Sequence, residues 1–344
     1  MNTRRFIRAR VAAPLVLVLA FASDEVSFHP KAGSELAKKL TVELELELKS
    51  MSVKEDGESV PAEDLPLGDE SKTTIEMSIG ATDKYVETKD GKPIDLLRTF
   101  DALSLEAKVG GEKKSVDEFK SIEGKTVRFK WNEDSKAYDK SFHESKGDDE
   151  ELASLSDDMD LRVLLPDKKV SSGDAWEVTA EHLLPLFVPG GLVGRGDKDS
   201  GAEQYKAIMQ ALKEKALRSL KDFKVHCKYK GSHEDGGATV SEIHFTFDDK
   251  VSFDASDVVT RLAEIEDSSG PKPDVSMKIR IGLKGEGTLI WDNAAGHVRS
   301  FEMEADVDAD VDGRIKIEMD GEHSEIAMTA EFGGHGKWAL APTK

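Results

Sequence analysis

Apolar and polar residues alternate at every second position over long stretches of this chain. Phe301, Met303 and Ala305 begin one apolar row, and every even-numbered residue from 302 to 312 is an acid. A period of two places one row on each face of a β-strand, whereas a helix would scatter both rows around its surface. The same alternation predicts further strands at residues 40–49, 75–79, 127–131, 223–229, 240–247, 275–283, 289–291 and 326–332.

Helical patterns are few. The capping-box sequence Ser200–Glu203 opens an amphipathic segment that predicts a helix over 202–220. Shorter patterns predict helices near 148–158 and over 256–266. Strands that are apolar on one face must pack against another layer. The sequence therefore predicts an α+β fold, rich in β-structure, with a long curved antiparallel sheet or sheets and a few covering helices.

A hairpin is predicted after the acidic strand. Asp312-Gly313 is a favoured turn sequence, and Ile315, Ile317 and Met319 form the apolar row of the next strand. A two-residue turn would place Val311 opposite Arg314 and mismatch the faces. We therefore expect a three-residue loop with Gly313 in the left-handed conformation.

The first 22 residues predict export. Four arginines precede an apolar run of about a dozen residues that ends in Ala20-Phe21-Ala22, which is typical of a secretory signal. We expect cleavage near Ala22-Ser23, the ordinary export route, and a periplasmic or secreted mature protein. Its expected parts are an N-terminal β-rich half (23–165), a connector with a turn and an amphipathic helix (166–220), and a C-terminal antiparallel half (221–344).

Charge and cysteine content narrow the possible functions. Loss of the signal would take the formal net charge from −20 to −24, which disfavours binding to nucleic acid or to anionic lipid surfaces. No other apolar run is long enough to span a bilayer. Cys227 is the single cysteine, so the chain forms no internal disulfide. Because Cys227 alternates with Phe223, Val225 and Tyr229, it is predicted to be a small core residue rather than a nucleophile.

Two groups of residues could bind a metal. Asp308, Asp310 and Asp312, followed by Gly313, resemble the start of a calcium loop, but position 12 is Met319 instead of a bidentate Glu. We favour a solvated strand face and keep weak calcium binding as the alternative. His226 and His244 are expected on the polar side of neighbouring strands, where two ligands alone make a poor zinc site. No cofactor is therefore expected.

Motifs for catalysis or phosphate binding are missing from the sequence. It contains neither a G-x-S-x-G nucleophile elbow nor a P-loop. The glycine-rich segment 189–196 precedes a predicted helix and could cradle phosphate, but a mobile connector is the simpler interpretation.

The stretch Leu164–Trp176 reads LLPDKKVSSGDAW. Gly173-Asp174 predicts a turn, after which Trp176 enters a strand and anchors the junction of the two halves. The stretch resembles the LPxxxVxxGDxW signature of uncharacterised exported bacterial proteins of planctomycete type. Segments 90–98, 122–127 and 287–296 are similar to that family too. The resemblance implies a periplasmic or secreted β-rich domain and assigns no catalytic or binding residues.

Three functions are compatible with these patterns. The first is a non-catalytic binding or scaffold module of the cell envelope, whose partner is an unknown envelope protein. The second is a periplasmic carrier of an apolar ligand such as a lipid or a lipoprotein acyl chain, held between a curved sheet and covering helices. The third is a hydrolase with a dispersed carboxylate site, which a cleft with a raised carboxyl pKa would support.

Overall fold

The computed structural model describes residues 23–61, 64, 71–115, 120–179, 184–191, 211, 215, 218–266, 272–319 and 322–343. Thirteen strands form one antiparallel sheet, and the predicted β-rich α+β class is confirmed. The strands are β1 Glu35–Glu55, β2 Glu58–Ser59, β3 Lys72–Lys89, β4 Lys92–Val109, β5 Glu112–Ser115, β6 Thr126–Asn132, β7 Ala137–His143, β8 Ala175–Thr179, β9 Lys224–Asp235, β10 Ala238–Asp254, β11 Asp274–Asp292, β12 His297–Met319 and β13 Glu322–Pro342.

The two ends of the chain meet in the middle of the sheet. The strand order is β7-β6-β4-β3-β1-β13-β12-β11-β10-β9-β8, with β2 beside β1 and β5 beside β4. β1 and β13 pair over almost their whole length, from Lys38 opposite Pro342 to Glu55 opposite Ile326. The N-terminal strands therefore lie on one side of this pair and the C-terminal strands on the other.

The alternation along β12 is realised as predicted. Phe301 is fully buried and Met303 and Ala305 are 2% exposed, whereas the intervening acids are exposed. The apolar rows of neighbouring strands lie side by side, because Phe301 is opposite both Leu289 of β11 and Leu340 of β13. We call the face that carries these rows the inner face, and the acidic face the outer face.

The hairpin predicted at Asp312-Gly313 is wrong. β12 continues through both residues, and Gly313 pairs with Met277 and Met328 as an ordinary strand residue without positive φ. Met319 pairs with Glu322, so the chain reverses after Met319 instead. The apolar period continues unbroken through Ile315 and Ile317, and this longer row outweighs the local turn signal.

Of the three predicted helices, one forms, one is wrong and one lies mostly outside the described residues. The helix over 256–266 forms as α2, Ser256–Glu266, and α1 is a single turn, Leu184–Phe187. The helix near 148–158 is wrong, because only a 3₁₀ turn at Asp149–Leu152 forms there. The segment 202–220 lies mostly outside the described residues; residues 211, 215, 218 and 219 are helical, and a 3₁₀ turn follows at Leu220–Asp222. The predicted signal 1–22 lies entirely outside the described residues. None of the described helices is long and apolar enough to cross a membrane.

Among the described residues, irregular chain covers much of the inner face. Residues 144–174, here called the strap, cross it and bury Leu152, Leu155 and Met159 to 3% exposure or less. The segment after the predicted cleavage position adds Val26 and Phe28, which are 2% and 4% exposed. The strap includes 3₁₀ turns at Asp149–Leu152 and Arg162–Leu164.

Close backbone packing holds α1 to the strap. The amide of Ser156 donates to the carbonyl of Gly190 at 2.8 Å, and a Cβ on Gly191 would lie 2.4 Å from the carbonyl oxygen of Ser154. Both glycines have positive φ and are buried. The described part of the predicted mobile connector, residues 189–191, is therefore tightly packed, and glycine is needed there for close approach.

Candidate functional site

The inner face of the sheet has two halves that differ in burial. In the near half, Leu40, Phe301 and Leu340 are at most 1% exposed. Beyond Ala305 the same strands continue, but most of their apolar side chains become partly exposed. We call this far half the trough. Its principal lining residues are Leu46, Leu48, Ile279, Ile281, Leu283, Val307, Ala309, Val311 and Phe332.

Strand register makes the trough a continuous apolar surface. Leu48, Phe332, Ala309 and Ile281 lie opposite one another across four strands. From residue 307 to residue 311 the trough extends about 14 Å, and its four strands span about 14 Å. Polar side chains of the same strand parity, such as Asp249, lie at its borders. The trough thus offers an apolar surface with little capacity for hydrogen bonding.

Glycines at the boundary between the halves receive neighbouring aromatic rings. A Cβ on Gly285 would lie 2.4 Å from the Phe247 ring, and one on Gly336 would lie 2.3 Å from the Trp338 indole. The Phe247 ring therefore folds over the bare backbone of the neighbouring strand, and the Trp338 indole folds over that of its own strand. This pairing of large and small residues fills the sheet surface without voids.

An aromatic barrier, consisting of Phe187, Phe247 and Trp338, separates the near half from the trough. The Phe187 ring lies 5.8 Å from that of Phe247 and 6.2 Å from that of Trp338, edge to face in both cases. The indole N–H of Trp338 donates to the main-chain oxygen of Phe187 at 3.0 Å. α1 thus holds one aromatic side chain at the closed end of the trough.

A buried ion network lies at the other end of the near half. Lys38 Nζ lies 2.8 Å from Asp83 and 2.9 Å from Asp160, while Arg98 forms two bonds with Asp83, at 2.6 and 2.8 Å. Tyr85 donates to Asp160 at 2.7 Å. All five side chains are at most 2% exposed.

This network attaches the strap to the sheet. Lys38, Asp83 and Arg98 belong to β1, β3 and β4, whereas Asp160 belongs to the strap. Arg98 also donates to the main-chain oxygens of Ser156 and Asp157. Burial alone raises the pKa of Asp83, but the charges of Arg98 and Lys38 outweigh it and bring the pKa down to about 2. A paired carboxylate of this kind is structural, because a general acid at neutral pH needs a raised pKa.

Asp308, Asp310 and Asp312 lie exposed on the outer face of β12, as expected for a solvated strand. Asp308 pairs with Lys49 of β1, two strands away, at 3.1 Å, and Asp310 pairs with Arg280 of the adjacent β11 at 3.5 Å, so basic side chains offset their charges. Within the described residues no group of three or more His, Cys, Asp or Glu is arranged to hold a metal. Calcium binding at these aspartates stays an untested prediction.

The histidines of the outer face do not converge on one point. His226 is opposite Thr246, and His244 is opposite Lys228, so the two histidines are diagonal neighbours. Each faces its own carboxylate: His226 lies 3.4 Å from Glu177, and His244 lies 3.7 Å from Glu286. His226 also lines a hollow of about 510 Å³ together with His335. Cys227 is buried on the opposite side of the strand, and burial raises the pKa of its thiol to about 12.

The turn predicted at Gly173-Asp174 forms. Gly173 has φ +97°, the amide of Asp174 donates to Ser171 O at 2.9 Å, and the Asp174 carboxylate accepts from the Ser171 amide at 2.9 Å. Trp176 then pairs with Cys227 in the edge strand β8 and is partly buried against the core. Its indole N–H has no hydrogen-bond partner among the described residues.

The sequence analysis overlooked the ion network and the aromatic barrier. Lys38, Asp83 and Arg98 each occupy a position that the strand alternation assigns to the apolar row, next to Leu40, Tyr85 and Phe100. A charge with apolar parity is the signal that could have revealed them. Phe187 gave no comparable signal, because its contacts depend on the path of α1.

Comparisons with known proteins leave the function open. No protein-family model and no curated protein matches the sequence. Among solved structures, the chain is similar to OccK2 (OpdF) of Pseudomonas aeruginosa at 8% identity and a TM-score of 0.18, covering 90% of this chain and 98% of that one. OccK11 (OpdR) of the same bacterium gives 8%, 0.14, 94% and 100%. Scores this low carry no argument about fold or function.

Proposed function

We propose that the protein is an exported, non-catalytic binding module that carries an apolar ligand in the trough. The observation that carries this proposal is the change in burial along β12. Phe301, Met303 and Ala305 are 2% exposed or less, whereas Val307, Ala309 and Val311, on the same face of the strand, are partly exposed. Leaving apolar area in water costs about 25 cal/mol per Å². A contiguous, partly exposed apolar patch of this kind supports a binding surface.

The chemistry of the lining favours hydrocarbon as the ligand. The backbone N–H and C=O groups of the trough strands are paired within the sheet, so its surface offers them to no ligand. A polypeptide bound there would bury amide groups without partners, which costs several kcal/mol for each group. An acyl chain has no such groups, and one chain spans about 15 Å, half of the roughly 30 Å hydrocarbon core of a bilayer.

The charge of the protein favours a single bound molecule over docking on a lipid surface. The outer face of β12 carries six acids between residues 302 and 312, and the full chain has a net charge of −20. Anionic bilayers repel such a surface. The proposed ligand is therefore a single-chain lipid or a lipoprotein acyl chain that reaches the protein in solution.

The alternatives from the sequence receive less support. A hydrolase would need an accessible carboxyl with a raised pKa, whereas the pKa of Asp83 is lowered and the carboxyl is buried. A protein partner seated on the trough would bury amide groups for which the paired trough strands offer no hydrogen-bond partners. The membership in the signature-bearing exported family also remains a proposal.

The test is binding of palmitoyl-lysophosphatidylcholine, below its micelle concentration, to the chain without residues 1–22. Native mass spectrometry should detect a one-to-one complex, and calorimetry should give micromolar affinity. Ala309→Trp places a bulky ring on the trough floor between Phe332 and Ile281. We expect this variant to bind roughly tenfold more weakly or worse, a loss of about 1.4 kcal/mol or more.

Asp310→Trp provides the matched control, since it adds the same ring to the adjacent residue on the outer face. It should bind like the wild type. The proposal is wrong if the wild type forms no complex with the lysolipid, or if the two tryptophan variants lose affinity equally.

A further inference from the structure

The aromatic barrier closes one end of the trough and so limits the length of ligand that fits there. Along β13, the partly exposed Phe332 and Gly334 lead to Gly336, which the Trp338 ring covers. The Phe187 ring packs edge to face against the Trp338 ring, with 6.2 Å between centroids, and against the Phe247 ring, with 5.8 Å. Beyond it, the strap covers the inner face, and Leu40, Phe301 and Leu340 are at most 1% exposed.

We infer that the Phe187 side chain limits how far an acyl chain can enter the trough, and so determines the preferred chain length. The inference rests on the proposed function and deepens it. A chain lying along β12 from the far end meets the Phe187 ring where apolar surface ceases to be accessible. Each further methylene would then remain outside, in water, and would add no affinity.

The Phe187 side chain can be truncated without removing the hydrogen bond that its main-chain oxygen accepts. The Trp338 indole donates to the main-chain oxygen of Phe187, and Leu186 beside it is fully buried. Phe187→Ala therefore keeps this hydrogen bond and the buried anchor while it removes the ring. Space opens between Phe247 and Trp338, in line with the trough.

The experiment measures affinity for a series of saturated lysophosphatidylcholines from about ten to twenty carbons. In the wild type, affinity should rise about fourfold with each methylene, as expected for roughly 0.8 kcal/mol per buried CH₂, and then reach a plateau. Phe187→Ala should move the plateau to longer chains. Phe187→Trp, which enlarges the ring, should move it to shorter chains, and Phe332→Leu, on the trough floor, should leave its position unchanged.

The outcomes separate the two proposals. If the wild type binds no lysolipid, the proposed function fails. If it binds and the plateau stays at the same length in both Phe187 variants, the carrier function survives and the role of Phe187 is refuted. Thermal melting of each variant identifies unfolding, and opposite plateau shifts in two variants with different ring sizes cannot result from a common loss of stability.

Discussion

Asp83 is the residue whose charge should matter most to stability. Its carboxylate accepts two bonds from Arg98 and one from Lys38, and it is fully buried. Asp83→Asn keeps the shape but removes the charge, so both cations then face Asp160 as the remaining carboxylate of the network. Breaking a buried pair from one side costs about 3–5 kcal/mol, because an uncompensated charge stays inside.

The assay is urea unfolding followed by circular dichroism. With a slope of a few kcal/mol per molar, the expected loss lowers the midpoint by roughly 1–2 M. Asp308→Asn is the control. The side chains of Asp308 and of its partner Lys49 are 74% and 52% exposed, and exposed ion pairs contribute about 0–1 kcal/mol to stability. A loss below about 1 kcal/mol for Asp83→Asn would refute the view that the network fixes the strap.

The pH dependence of stability tests the role of Asp83 independently, because the direction of its pKa shift fixes the direction of the change. The pKa of Asp83 falls from 3.8 to about 2 on folding, so its contribution is complete above pH 3.8 and is lost as the pH falls toward 2. The shift corresponds to about 2 kcal/mol. The stability difference between wild type and Asp83→Asn should therefore be constant near neutrality and narrow by about that amount between pH 5 and pH 2. A difference that widens on acidification would contradict this assignment.

Three further predictions follow from single residues. Gly191→Ala should destabilise the protein by more than about 2 kcal/mol in urea unfolding, because its Cβ would lie 2.4 Å from Ser154 O. Gly57→Ala is the control: its Cβ would have no atom within 4 Å, so only the positive φ should cost stability, about 1 kcal/mol. Cys227 should resist iodoacetamide at pH 8 in the folded protein and react fully in urea, since burial raises the pKa of its thiol to about 12; rapid labelling of native protein would contradict this. Trp176→Ala should cost about 2–3 kcal/mol in thermal unfolding, less than the ~3–5 of a fully buried tryptophan, because Trp176 is only partly buried; an unchanged melting temperature would show that it anchors nothing.

The strands could be predicted from the sequence because a period of two is a long-range signal. The alternation of apolar and polar residues continues along β12 from Phe301 to Ile317, and this long pattern outweighs the one local turn signal at Asp312-Gly313. The turn at Gly173 was predictable for a different reason: its positive φ is a local property that glycine meets without steric cost.

The rest depends on contacts between distant parts of the chain. The apolar spacing of Leu152, Leu155 and Met159 fits a helix, yet these residues are buried in an irregular strap that Arg98 of β4 binds through the main-chain oxygens of residues 156 and 157. The trough is equally non-local, since it arises where the strap ends and the strands continue.

The central claim is that a hydrocarbon chain lies on the far half of the inner face. Photo-crosslinking with a palmitoyl lysolipid that carries a diazirine on its chain tests this most directly, with the adducts located by peptide mass spectrometry. The account predicts adducts on β12 between residues 307 and 311 and on β13 around Phe332, suppressed by excess unlabelled lysolipid. Adducts confined to the outer face, or insensitive to that competitor, would contradict it.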